Sequence, residues 1–412
     1  MSLTMTASLK GIRVIDISHV IAGPLTSYYL AQLGAEVIKI EKPGSGDVMR
    51  ANKESTPTDT PTAFSGLNAG KKSLAIDIRT TEGANAIRSL AKNAHVFIEN
   101  FRPGVVKKYG LDYDSIKKIN PKIVYCSISG YGQRGNWASR GGYDQVIQAL
   151  TGMMMMSGPE HDTNPTKVGF PVIDVAVGML GALSITSAIY RQEKYGMGQY
   201  IETSLIQAAL MLMYPFTTDY LTDKKIATRL GNKGYSGSPA SDTFRCLDGW
   251  ISTAANTPTQ FKKMMHLLNL DEICTDSELL DLDAFNAVNE GFVIAREPDL
   301  VKQKIQNALA ENSAAELEMR LNEAGVPAAK VRTLSEFLDE LLEGTNVTTS
   351  FMTFKQANKT IKTAGLGFTL DNGDQLMTST IPTLGEHNYE LLKSIGINED
   401  QIRKMLAANV LK

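Results

Sequence analysis

Between Val168 and Tyr190 the chain reads VGFPVIDVAVGMLGALSITSAIY, and Asp174 is its only charged residue. A carboxylate in so apolar a run costs several kcal/mol unless it is paired or hydrogen-bonded, so it is either satisfied or used in chemistry. Pro171, three residues earlier, and the helix-forming run that follows place Asp174 at or near a helix N-terminus. The free backbone N–H groups and the positive end of the helix dipole are expected to keep it ionised there. An ionised, partly dehydrated carboxylate at a helix start is equipped to act as a nucleophile or a base. The plainer alternative is that Asp174 only caps its helix.

Other residues carry weaker signals. His19 sits in the loop Ser18-His-Val-Ile-Ala-Gly-Pro24 after the first strand, where it can contact a ligand or simply hydrogen-bond. Pro43–Asp47 and Gly130–Gly135 are glycine-rich loops that let backbone approach a ligand, or merely turn. Lys71, Lys72, Arg79, Arg102, Lys107 and Lys108 recur near strand ends; together they suit phosphates, singly they suit solvent. Glu41 ends the second strand as a ribose-binding acid would. Yet the preceding loop lacks the GxGxxG glycines that admit a pyrophosphate, which weakens a dehydrogenase reading.

These residues need a scaffold, and composition bounds it. At 412 residues the chain is long enough for two domains. With 21% charged residues, a net charge of −2 and no basic block, nucleic acid is a poor partner. The three cysteines (Cys126, Cys246, Cys274) and five histidines are scattered, so no metal site and no disulfide framework is expected, and a reduced, cytoplasmic setting fits. The start MSLTMTASLKG shows no apolar signal core. No membrane contact is expected either: Val175–Tyr190 is 16 residues, short of the roughly 20 that span a bilayer.

The first half alternates strands and helices. Strands are expected at Gly11–Ile17, Glu36–Ile40, Ser73–Ile78, His95–Ile98 and Ile123–Ser127, with helices at Pro24–Leu33, Thr81–Asn93 and Tyr113–Ile119. That pattern predicts an α/β fold, a doubly wound, mostly parallel sheet with ligand loops at the strand ends. A pair of long helices is expected over about 172–222. The Gly/Ser/Pro-rich stretch Gly231–Asp242 reads as a linker or mobile loop, followed by a hairpin turning at Asp248-Gly249. A second hairpin is expected at Asn372-Gly373. The partition predicted is a large domain over 1–225, a smaller inserted domain over 226–330, and a return to the large domain over 331–412.

Taken in order, several stretches resemble the class III CoA-transferases. They are LKGIRVIDISHVIAGP (9–24), LGAEVIKIEKPGSGD (33–47), KKSLAIDI (71–78), ENFRPGVVKKYGLDY (99–113), ISGYGQRG (128–135), GYDQVIQALTGMMMMSG (142–158), the Asp174 segment and IPTLGEHNYELLKSIG (381–396). The resemblance implies a Rossmann-like large domain with a smaller one, in a homodimer whose chains interlock as rings. It implies that Asp174 is the catalytic aspartate and that His19, Val20, Ile21 and Ala22 line the coenzyme A site. It puts Lys42, Ile76, Arg79, Asn100, Phe101 and Lys108 at positions that bind the nucleotide part. Tyr143 either lines the acyl pocket or is a core aromatic with a hydrogen-bonded hydroxyl. Lys42 and Lys108 stand where a family member has arginines, which keeps charge but loses the bidentate fork. No cofactor is implied; an acyl-CoA thioester and a small carboxylic acid are the substrates. Small dicarboxylic acids are preferred because the sequence shows no signature of a wide apolar tunnel.

Two alternatives remain at this point. A 2-methylacyl-CoA racemase of the same superfamily uses a histidine where this chain has Tyr143 and a glutamate near Asn256–Thr257, where no carboxylate is present. A tyrosine with an ordinary pKa near 10 is a poor base at neutral pH. A non-catalytic CoA-binding protein would tolerate loss of Asp174, which is retained. The resemblance also suggests that Gly234–Gly237 closes over the site as a lid and supplies N–H donors to oxyanions. A plain interdomain linker is the alternative there.

Overall fold

The computed structural model describes residues 7–51, 61–287, 291–344, 347, 349, 351–356, 359–370 and 380–412. Short apolar runs give β1 (Arg13–Asp16), β2 (Glu36–Glu41), β3 (Lys72–Ala75), β4 (Val96–Glu99) and β5 (Val124–Ser129). A sixth strand, β6 (Gln199–Ser204), joins them, and all pair in parallel in the order β3-β2-β1-β4-β5-β6. The order runs outward from β1 on one side and from β4 on the other, so a crevice opens beyond the C-terminal ends of these two strands.

The helices of this half are α1 (Ala22–Gln32), α2 (Thr62–Asn68), α3 (Thr81–Ala91), α4 (Tyr113–Ile119), α5 (Asp144–Leu150), α6 (Met153–Met156), α7 (Val172–Tyr195), α8 (Leu205–Leu212) and α9 (Tyr214–Asp223). The helix pair expected over 172–222 is therefore interrupted: β6 separates α7 from α8. Its sequence, QYIETS, is polar for a strand, and it has only β5 as neighbour at the edge of the sheet.

Packing of α7 on α1 sets the position of Asp174. A Cβ on Gly178 would meet Leu25 atoms at 2.7–2.9 Å, and one on Gly181 would meet Thr26 Oγ1 at 2.5 Å. The two glycines let the helices approach closely, and Thr26 Oγ1 donates to the Gly178 carbonyl at 3.2 Å. One turn earlier on α7, Asp174 is thereby carried to the start of α1. By length and composition α7 could also cross a bilayer, beyond what the 16-residue stretch implied. Its inner residues Ile173, Val177, Ile185 and Ile189 are nonetheless buried in the protein's own core.

The chain separates into two compact units, one formed by 1–154, 167–226 and 349–412, the other by 155–166 and 227–348. The second holds an antiparallel sheet of β7 (Thr243–Cys246), β8 (Gly249–Thr253) and β9 (Ala328–Lys330). Helices α10 (Pro258–Leu267), α11 (Leu282–Phe285), α12 (Pro298–Ala310) and α13 (Ala314–Glu323) surround a core that includes Phe244, Phe261, Phe285 and Leu309. The β7–β8 hairpin turns at Leu247-Asp248, one position before the expected Asp248-Gly249, because Cys246 pairs with Gly249. Asp248 is held there by Ser313 Oγ and the Ala314 N–H, each at 2.8 Å.

This unit differs from the expected 226–330 in two ways. Residues 155–166 belong to it because the buried Arg229 donates to the carbonyls of Met155, Asp162 and Asn164. Residues 331–348 belong to it as well. There α14 (Leu334–Glu343) starts with a Thr333/Glu336 capping box and is tied back by Arg332, which bridges Glu318 and Glu340 at 2.7 Å each.

The return to the larger unit brings an antiparallel hairpin of β10 (Phe351–Gln356) and β11 (Lys359–Ala364), which the sequence reading did not anticipate. The hairpin expected at Asn372-Gly373 lies outside the described residues. Helices α15 (Asn388–Ser394) and α16 (Glu399–Ala407) close the chain. Asn388 accepts from the Ala75 N–H at 2.8 Å and donates to the Lys412 carbonyl at 2.7 Å, fastening the C-terminus to β3.

Candidate active site

The crevice beyond β1 and β4 is built on a buried ionic frame. Asp16 ends β1 and accepts from the Ser18 N–H (2.9 Å), the Ser18 hydroxyl, the Ser27 hydroxyl (2.5 Å) and Lys71 Nζ (3.3 Å). Burial works to raise its pKa, but Lys71, Lys39 and the two serines outweigh it and hold the carboxyl below its ordinary value. Lys39 is wholly buried, pairs with Asp47 at 2.9 Å and donates to the Ser18 carbonyl at 3.0 Å. Burial pushes the neighbouring Lys71 down to about 7.

That frame holds the loop 18–21 in a costly shape. Val20 has φ +70°, a left-handed conformation that a β-branched residue rarely adopts. Its N–H donates to Asp47 Oδ1 at 3.3 Å. Asn100, just past β4, brackets His19, accepting from its N–H at 2.9 Å and donating to its carbonyl at 2.7 Å. The His19 ring lies 5.1 Å from that of Phe101, and burial lowers its pKa, so the imidazole is neutral at pH 7. These contacts hold the loop, which delivers the chain into α1 at Ala22.

Asp174 meets this loop from α7. It occupies the third position of the helix, and no described residue donates a hydrogen bond to its carboxyl. The cap is supplied by another residue. Asp144 Oδ2 accepts from the Ile173 N–H at 2.7 Å and the Asp174 N–H at 3.1 Å. Asp174 therefore is not the cap. Nor does the helix start hold its pKa down: burial, then the charge of Asp144, push its carboxyl up to about 6. Both causes disfavour the anion.

Asp174 lines a cavity of about 480 Å³ with His19, Val20, Ile21, Ala22, Asn100, Phe101 and Tyr143. That size lies within the range of small-molecule sites. Arg102, Arg140 and Ile128–Gly130 are also among its lining residues. A second cavity of about 290 Å³ shares Phe101 and Val105 with the first and is lined by Lys42, Ile76 and Arg79. The structure thus gathers eleven of the twelve residues singled out in the sequence around two adjoining cavities. Lys108 lines neither. The Arg79 guanidinium is at present paired with Asp77, at 2.7 Å and 2.9 Å.

Two residues were missed. Asp144 and Gln148 read as ordinary polar positions, since their partners lie 20 to 30 residues away. An aspartate following the Gly-Gly pair 141–142 at a helix start was the available signal. The loop 231–242 belongs to the smaller unit, and its turn uses the very donors proposed for oxyanions: the Gly234 N–H goes to the Ser241 carbonyl (2.7 Å) and the Gly237 N–H to the Gly234 carbonyl (3.1 Å).

The model of CoA-transferase family III matches residues 9–388. The succinyl-CoA:glutarate CoA-transferase of Mus musculus is 30% identical over 405 residues, spanning 98% of this chain and 90% of its own. A succinyl-CoA–D-citramalate CoA-transferase of Chloroflexus aurantiacus is 28% identical, with 98% of each chain covered. A succinyl-CoA:mesaconate CoA-transferase of Haloarcula marismortui is 30% identical, over 95% of this chain and 97% of its own. Among crystal structures, a CaiB/BaiF family protein from Brucella suis superposes with a TM-score of 0.78 at 28% identity, covering 95% of this chain and 100% of that one.

Proposed function

Because this chain belongs to CoA-transferase family III and is an enzyme of that class, we propose that it moves coenzyme A from succinyl-CoA to a small dicarboxylic acid, with Asp174 as nucleophile. The observation that carries this reading is a half-buried carboxyl with no donor among the described residues, set in a cavity beside a helix start. Relatives that act on glutarate, D-citramalate and mesaconate support the dicarboxylate.

In the first step an Asp174 oxygen attacks the thioester carbonyl, the C–S bond breaks, and CoA leaves as thiolate, giving a mixed anhydride. The thiolate attacks the aspartyl carbonyl, releasing succinate and leaving an aspartyl–CoA thioester. The acceptor carboxylate then attacks that carbonyl, expels the thiolate and forms a new anhydride. Attack of the thiolate on the acceptor's carbonyl yields the new acyl-CoA and restores the Asp174 carboxylate. Each step exchanges activated acyl bonds, so no other energy source is needed. A carboxyl near 6 is mostly ionised at pH 7, yet more basic than an ordinary aspartate and therefore a better nucleophile.

Ala22 opens α1, so the positive end of that helix meets the cavity where oxyanions would develop. The pantetheine arm runs past Phe101 in this reading, with the nucleotide toward Lys42, Ile76 and Arg79; Arg79 exchanges Asp77 for a phosphate, and Lys108 contributes from outside the cavity. The working form is a homodimer. Met179, Leu183, Tyr190, Met211, Tyr214 and Leu221 on α7, α8 and α9 are each 50% or more exposed, an apolar surface that a second copy would cover. A cytoplasmic setting suits its unpaired cysteines.

The test is a panel of acyl-CoA donors, succinyl-CoA among them, with a mixture of free mono- and dicarboxylic acids, read by mass spectrometry. New dicarboxylyl-CoA species with wild type and none with Asp174→Ala support the reading. Exchange of an α-proton of a 2-methylacyl-CoA without transfer would replace it with a racemase.

A further inference from the structure

The first N–H groups of a helix have no partner inside it, and a carboxylate in the first turn is drawn toward that positive end. In α7 that outcome is blocked. Asp144, buried at the first position of α5, places one carboxylate oxygen on the N–H groups of Ile173 (2.7 Å) and Asp174 (3.1 Å). Its other oxygen accepts from Gln148 Nε2 at 2.5 Å. Gln148 is wholly buried and accepts from the Val168 N–H at 2.9 Å, which fixes the segment leading into α7. Asp144 is itself pinned by a close backbone approach. A Cβ on Gly142 would meet the Gly130 Cα at 2.8 Å, so residues 142–144 lie hard against the end of β5.

We propose that Asp144 is the positioning residue of the nucleophile: by capping α7 in place of Asp174 it keeps the Asp174 carboxylate out of its own helix end and turned to the cavity. The proposal rests on the reading of Asp174 as the nucleophile. Asp144 does a second thing from the same place. Its negative charge, added to burial, raises the basicity of Asp174. The other titratable or charged groups facing the cavity are His19 from the loop before α1, Arg102 from the loop after β4, and Arg140 and Tyr143 from the loop before α5. Among the described residues, none of these donates to the Asp174 carboxyl. A cap that acts only on stability would affect folding alone, whereas a positioning residue must show in the chemistry.

Two variants separate these roles. Asp144→Asn keeps a carbonyl oxygen for the two N–H groups and removes the charge; Asp144→Ala removes both. Transfer from succinyl-CoA is followed between pH 5 and 9, with kcat and the KM for succinyl-CoA determined separately. For Asp144→Asn the acid limb of kcat moves to lower pH by about half a unit or more. For Asp144→Ala kcat falls ~10²-fold at every pH, because the carboxylate turns back to its helix end, while the KM for succinyl-CoA changes less than about threefold. An acid limb in Asp144→Asn that coincides with wild type overturns the proposal, and does so even if Asp144→Ala fails to fold. So does an Asp144→Ala enzyme with a lowered melting temperature and full kcat. Transfer that survives Asp174→Ala is a different failure: it removes the nucleophile, and is read on that variant alone.

Discussion

Two carboxylates stand at the mouth of the same sheet and are treated in opposite ways. Asp16, at the end of β1, is wholly buried, yet two serine hydroxyls, a backbone N–H and Lys71 donate to it, and Lys39 lies close by. Asp174, on α7, is less buried but receives no donor from any described residue, and the charge that shifts it is that of another carboxylate, Asp144. The surroundings depress the first and elevate the second. Burial is common to both; partners decide. The fully satisfied group belongs to the frame, which holds the strained Val20 loop. The group left without partners stores reactivity.

Removing each carboxylate breaks the comparison in a different place. Asp174→Ala should lower transfer on the order of 10³-fold or more while its melting temperature and circular dichroism stay near wild type, checked by steady-state rates and thermal unfolding. Asp16→Ala should instead cost stability, about 3–5 kcal/mol, since it leaves Lys71 and Lys39 buried without their shared counter-charge; denaturant titration reads this. If Asp16→Ala proved as stable as wild type, the frame would not be doing what is ascribed to it.

The pH dependence sharpens the same contrast. The active form of Asp174 is the anion, so kcat should fall as pH drops through about 6, an acid limb absent from any step that does not use this group. A linked effect appears in stability. The folded-state pKa of Asp174 is raised, so the folded protein holds that proton more tightly than the unfolded chain. The penalty for ionising it is absent below about pH 4, grows as pH rises, and is complete above about 6. Asp174→Asn should therefore stabilise the protein by ~1–2 kcal/mol at pH 8, after allowance for solvent screening, and by almost nothing at pH 4. An equal gain at both pH values would assign the effect to packing.

What the sequence disclosed follows from where the information lies. Strands β1 to β5 were legible because parallel strands covered on both faces read as apolar runs, and α4 forms where a helix was expected, near Tyr113–Ile119. The strand β6 was not, since its polar edge sequence lies between two apolar helices and was absorbed into them. Asp174 could be singled out by its isolation in an apolar run, but the direction of its titration could not. That depends on Asp144, 30 residues earlier, which takes the N–H groups that Asp174 was expected to use. The ionic frame was equally hidden. Lys71 read as one of several basic residues near strand ends, whereas its partner Asp16 lies 55 residues away in sequence. Local pattern gives elements; which polar groups satisfy which is decided by tertiary contact.

The most direct measurement is mass spectrometry of enzyme mixed with succinyl-CoA and quenched within a turnover, with and without hydroxylamine. The account predicts a CoA adduct on the peptide carrying Asp174, converted by hydroxylamine to the aspartyl hydroxamate and absent from Asp174→Asn. A CoA adduct on another residue, or transfer with no covalent species while acceptor is withheld, would contradict the claim that Asp174 carries the acyl exchange.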